Sequence, residues 1–105
     1  MSTAGTSSPR TIIESPTFEK SLAQCLTLPG IDRAAAAEVM AGVAWSLRTN
    51  PFAWPRFPGT ERLYAAKTRR RTTPIGYVPM MRILYNIEPN GDVRLLQADT
   101  MDVYL

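Results

Sequence analysis

The chain has 105 residues, 45% of them apolar, with one cysteine, no histidine and a net charge of +3. That length corresponds to one domain, which buries roughly 60–70% of its unfolded surface and so needs no disulfide or metal to hold a core. The missing histidines exclude Ser-His-Asp and Cys-His catalysis and the usual zinc sites, and no apolar run nears the ~20 residues that span a bilayer. Met1–Pro9 is a run of small and polar residues without the basic start and apolar stretch of a signal peptide. Residues 1–10 are therefore expected to be a disordered tail and 11–105 a single domain, soluble and cytoplasmic.

Arg10–Glu14 is short and β-branched, a first strand. Ser15-Pro16 then signals a helix start, an N-cap hydroxyl followed by proline at the first helical position, with Glu19 suited to the helix dipole. Phe18, Leu22, Cys25 and Leu26 form one apolar stripe, which makes Cys25 a small buried hydrophobe rather than a reactive thiol. Asp32 is the N-cap of a second helix, Arg33 to Arg48, whose inner side carries Ala36, Val39, Met40, Val43 and Leu47. Asn50-Pro51 stops it, because the residue before a proline avoids the α region.

Phe52–Gly59 is an aromatic, proline-rich connection; Trp45, Trp54 and Phe57 are expected to cap the open end of the core, the alternative being platforms for stacked bases. Leu63–Lys67 reads as a strand and Thr68–Tyr77 as a basic loop. A hairpin follows, Met80–Ile87 and Val93–Gln97 joined by Glu88-Pro89-Asn90-Gly91-Asp92, since Asn-Gly tolerates the positive φ of tight turns. Alternation puts Met81, Ile83, Tyr85 and Ile87 on the core side and Arg82 on the other. Ala98–Leu105 is left as a tail whose last three residues pack back on the sheet. The order β-α-α-β-β-β predicts an α+β layer, two N-terminal helices on one face of a small, mainly antiparallel sheet.

Charge is unevenly placed. Arg48, Arg56, Arg62, Lys67, Arg69, Arg70, Arg71 and Arg82 oppose Glu61 alone, so this third of the chain is +7 and the remainder −4. Such segregation points to an anionic partner, nucleic acid or an acidic protein, over a merely solvated surface.

The order of elements resembles the RelE/ParE superfamily of toxins from bacterial type II toxin–antitoxin pairs. The likeness runs from Thr11 through Ser15-Pro16-Thr17-Phe18-Glu19-Lys20-Ser21-Leu22 and Leu47-Arg48-Thr49-Asn50-Pro51, and is sharpest at Met81-Arg82-Ile83-Leu84-Tyr85-Asn86-Ile87 with Val93-Arg94-Leu95-Leu96 returning. In RelE-like members the resemblance implies a metal-independent, ribosome-dependent mRNA endoribonuclease that uses no cofactor. Its catalytic set would be Lys67, Arg82 and Tyr104, with Arg62, Arg69, Arg70, Arg71 and Arg94 as RNA-binding residues. The ParE-like branch implies instead a non-enzymatic inhibitor of DNA gyrase, and a third alternative is a degenerate member that only binds a protein partner. An acidic antitoxin is the expected partner in the first two cases. Two family positions differ here: Ala65 stands where a second lysine is expected, and Ala98-Asp99-Thr100 where a further arginine would follow the last strand. Within that frame Lys67, crowded by Arg69, Arg71 and Arg82, would take the 2′-hydroxyl proton, because like charges disfavour its charged form. Arg82 would clamp the phosphate through its planar fork, or else pair with Glu88, Asp92 or Asp99.

Overall fold

The computed structural model describes residues 10–101; Met1–Pro9 and residues 102–105, with Tyr104 and the expected back-packing of the last three residues, lie outside the described part. Eight elements follow in order: β1 (Ile12–Glu14), α1 (Pro16–Cys25), α2 (Arg33–Thr49), β2 (Leu63–Lys67), β3 (Arg71–Thr73), β4 (Gly76–Val78), β5 (Met81–Ile87) and β6 (Val93–Thr100). The class is α+β. Four strands form a mixed, mainly antiparallel sheet in the order β1-β6-β5-β2, in which only β1 runs parallel to its neighbour.

Both helices start as their residue types dictate. Ser15 Oγ accepts the Phe18 N–H at 3.1 Å with Pro16 behind it, and the Asp32 carboxylate accepts the Ala35 N–H at 3.1 Å. Their apolar stripes meet the odd-numbered side of β5: Phe18 and Cys25 from α1, and Ala36 and Leu47 from α2, share one core with Ala66, Met81, Ile83, Tyr85, Val93, Leu95 and Ala98. The α1 helix also seals the free edge of β6 beyond the short β1. Ser21 Oγ accepts the Ala98 N–H at 2.9 Å, and Cys25 Sγ lies 3.6 Å from the Ala98 carbonyl. Burial, with Asp99 adding to it, pushes the Cys25 thiol up from its ordinary value, so it stays protonated and donates.

Three expectations are corrected. Thr68–Tyr77 is not a plain loop: β3 and β4 pair as a separate two-stranded hairpin that docks on the α1–α2 connection. Asp32 N–H donates to the Tyr77 carbonyl at 2.9 Å and Tyr77 N–H to the Gly30 carbonyl at 3.0 Å, while Thr73 Oγ1 donates to Asp32 Oδ2 at 2.7 Å. The turn Pro74–Ile75 is punctuated as a loop would be; Arg71–Thr73 and Gly76–Val78 pair across it, and distant backbone at Gly30 and Asp32 holds the hairpin in place. Next, Trp45 caps nothing; it is 66% exposed, whereas Trp54 packs against the core. Last, β6 continues to Thr100, because a bulge between Leu84 and Tyr85 leaves Leu96 as an extra residue and restores pairing beyond it.

Asp32 thus serves two elements at once, and its titration reports on them. Hydrogen bonds from Thr73 and then from the Ala35 N–H hold its carboxyl below the ordinary value of 3.8. A carboxyl depressed in the folded state contributes stability above about pH 4 that is lost as pH falls through the lower folded value. Asp32→Asn, which keeps a cap acceptor, is expected to lose less stability at pH 7 than Asp32→Ala. Both should flatten the acid limb of a thermal-melting profile between pH 2 and 5.

Candidate functional site

Two strands bring the predicted cations together on the sheet face opposite the helices. Lys67 ends β2 and pairs across with Arg82 of β5, and Arg82 pairs in turn with Asp99 of β6, so three charged residues lie in one cross-strand row. Directly opposed residues of antiparallel strands stand about 4.5–5.5 Å apart, close enough for a shared ligand. The segment before β2 walls this row in. Its prolines cannot donate, so it borrows the free edge of β2: Ala65 N–H donates to the Pro55 carbonyl at 3.3 Å, Phe57 N–H donates to the Leu63 carbonyl, and Arg56 bridges to Tyr64. The result is a cavity of about 470 Å³ lined by Pro55, Arg56, Phe57, Ala65, Lys67 and Arg82.

The Arg82 guanidinium is only partly committed. One terminal nitrogen donates to Asp99 Oδ2 at 3.0 Å, with about a third of each side chain exposed, and Gln97 Nε2 donates to the other carboxylate oxygen at 3.0 Å. The Arg82 Nε is buried with no hydrogen-bond partner, and the guanidinium carbon lies 5.6 Å from the centre of the Phe57 ring. The pair therefore lacks the two-pronged Arg–carboxylate geometry, and at this exposure it contributes only ~0–1 kcal/mol. Of the three carboxylates considered from the sequence for Arg82, Asp99 is the one engaged; Glu88 takes Arg94 instead, at 3.1 Å.

The remaining predicted cations disperse. Arg71 reaches Glu38 on α2 at 3.2 Å, which removes it from the expected crowd around Lys67. Arg70 lies 4.4 Å over the Tyr77 ring on the β3–β4 hairpin. Arg62 and Arg69 are exposed, one before and one after β2. Of the predicted catalytic set, Lys67 and Arg82 come together, and Tyr104 lies outside the described residues. Sequence reasoning missed Arg56 as part of the cavity wall; Phe57, expected as a core cap with base stacking as the alternative, lines the cavity as well. The signal that marks them is the pair of prolines, Pro55 and Pro58, which forces an extended path beside β2.

A second cavity of about 240 Å³ between α1 and the end of β6 is lined by Ser21, Gln24, Cys25 and Asp99 among others, and holds no cation. Among the described residues no helix is long and apolar enough to cross a membrane. Comparison of the chain with protein-family models, with curated proteins and with solved structures returns no match.

Proposed function

We propose that this chain is the toxin of a type II toxin–antitoxin pair and works in the cytoplasm on RNA, as a RelE-like, ribosome-dependent mRNA endoribonuclease. One observation carries the reading: Lys67 and Arg82 stand side by side on the face opposite the helices, at the floor of a cavity wide enough for a nucleotide. Cleavage of RNA by its own 2′-hydroxyl forms the P–O2′ bond and breaks the P–O5′ bond. The 2′-hydroxyl proton leaves to a base, and a proton is delivered to the departing 5′ oxygen. In this reading Lys67 takes the first proton and Arg82 offsets the charge that builds on the phosphorane oxygens. Tyr104 supplies the second proton, and an arginine of the 69–71 run stacks on a base. Arg62, Arg69, Arg70 and Arg94 add contacts to RNA phosphates.

A second reading, a non-enzymatic inhibitor of the gyrase-binding kind or a chain that only binds a partner, draws on a different observation. Arg82 already engages Asp99, so phosphate must compete with an internal carboxylate. Cell-free translation separates the readings. The purified chain is expected to stop synthesis and leave mRNA cut in the ribosomal A site, with Arg82→Gln weakening the arrest about tenfold, the scale of one charge-assisted hydrogen bond. Arrest with intact mRNA would overturn the nuclease reading, and loss of supercoiling in a gyrase assay that ignores Lys67→Ala and Arg82→Gln would establish the gyrase-binding one. For the nuclease and the gyrase inhibitor alike, an acidic antitoxin encoded beside this chain is the expected partner, bound less tightly as salt rises.

A further inference from the structure

We infer that Asp99 is a positioning residue for Arg82. Its carboxylate holds the guanidinium from the side away from Lys67, so that a phosphate entering the cavity meets an arginine already in place. The role deepens the RNA reading above and rests on it for the reaction. Four observations converge. First, the two neighbours of Arg82 face different spaces. In the row Lys67–Arg82–Asp99, Lys67 lines the cavity of about 470 Å³ together with Arg82, whereas Asp99 lines the cavity of about 240 Å³ against α1. The carboxylate therefore grips Arg82 from behind. Second, the grip is a single hydrogen bond, Arg82 Nη2 to Asp99 Oδ2 at 3.0 Å, where a two-pronged pair would occupy the whole fork.

Third, the carboxylate is itself held. Gln97 Nε2 donates to Asp99 Oδ1 at 3.0 Å, and the guanidinium carbon lies 5.6 Å from the centre of the Phe57 ring, so Arg82 is bracketed by two groups. A long side chain fixed in advance has less rotamer freedom to lose when phosphate arrives. Fourth, the sheet breaks its own ladder to bring Asp99 there. Without the bulge between Leu84 and Tyr85, Arg82 would oppose Ala98, and Asp99 would oppose Met81 in the core. Bulges concentrate beside active sites because they re-aim a side chain in this way. With about a third of each side chain exposed, the pair adds little to stability, so variants at residue 99 are expected to fold.

Single-turnover cleavage of mRNA on programmed ribosomes, with the full chain in excess, tests this. Asp99→Ala is expected to lower the rate at saturation about tenfold while the half-saturating concentration stays within about twofold of wild type, the pattern of a misplaced rather than a missing cation. Asp99→Asn keeps an acceptor for Arg82 Nη2 and, with the Gln97 amide turned about, is expected to recover most of that rate. A carboxylate that only competed with phosphate would do the reverse: both variants would bind more tightly and cut at least as fast, which would overturn the inference. Nitrogen NMR of the free chain supplies a readout that needs no ribosome. The Arg82 side-chain signals are expected to show slow guanidinium rotation in wild type and Asp99→Asn and fast rotation in Asp99→Ala; equal rotation in all three would also overturn it. Cleavage by wild type that is indifferent to Asp99 removes this role alone. A wild-type chain that leaves mRNA intact removes the RNA reading and the role with it.

Discussion

Replacing Tyr85 by alanine is expected to cost the fold ~4–5 kcal/mol, close to the whole stability of a small domain at the lower end of its usual range. Tyr85 is fully buried at the centre of β5. Three losses combine. The cavity left by an aromatic side chain in a packed core accounts for most of it, ~3 kcal/mol. Tyr64, whose ring lies 5.4 Å from that of Tyr85 at an interplanar angle of 17°, loses its stacking neighbour. The Pro51 carbonyl, which accepts the Tyr85 hydroxyl, is left without that donor just where α2 gives way to the connection to β2. Tyr85→Phe keeps the ring and isolates the last term, for which ~1–2 kcal/mol is expected. Urea denaturation followed by far-UV circular dichroism reads both; an alanine variant within 2 kcal/mol of wild type would refute the account. Burial, with Tyr64 adding to it, raises the Tyr85 phenol well above its ordinary value. The unfolded chain therefore loses this proton first, and stability should fall as pH rises beyond ~10.

Gly76→Ala is the second large effect, and it acts by close approach rather than by dihedral strain. A Cβ at residue 76 would stand 2.3 Å from the Gly30 carbonyl oxygen and 3.3 Å from the Asp32 nitrogen, both backbone atoms that cannot swing aside. The β3–β4 hairpin must then move off the α1–α2 connection. That motion breaks the bonds between Tyr77 and both Gly30 and Asp32, and pulls Thr73 from the Asp32 carboxylate. A loss of ~3 kcal/mol is expected from overpacking and the forfeited hydrogen bonds together. Hydrogen exchange gives the sharper test. The amides of Asp32 and Tyr77 should lose protection while those of Ile83 and Tyr85 in the main sheet keep theirs. Unchanged protection at Asp32 would show that the docking is not held by this backbone contact.

Much of the architecture can be read from the chain because its signals are local. Ser15 and Asp32 cap helices through hydroxyl and carboxylate chemistry that works over three residues. The stripe Phe18, Leu22, Cys25 and Leu26 follows from the helical repeat, and the inward set Met81, Ile83 and Tyr85 from the two-residue repeat of a strand. The turn before β6 is equally local: Gly91, at φ 95°, donates its N–H to the Glu88 carbonyl at 2.8 Å, a conformation that suits glycine. The candidate site was legible only in its β-strand residues, Lys67 and Arg82. Its wall comes from Phe57, whose place depends on which strand edge the proline-rich segment finds.

The chain by itself determined the two helices, the β5 hairpin and the concentration of positive charge between Arg48 and Arg82, since each depends on residues near one another in sequence. Tertiary structure alone decided where that charge goes. Arg71 turns to Glu38 on α2 and Arg70 to the Tyr77 ring, while Arg56, Lys67 and Arg82 line the cavity. The same holds for Asp99. Strict alternation from Val93 and Leu95 would carry it into the core, but the extra residue at Leu96 shifts the count by one, so Ala98 packs inward and Asp99 emerges beside Arg82. A bulge is settled by the register of two strands against each other, with an unpaired carboxylate in the core as the penalty for the other register, and no repeat within one strand encodes that choice.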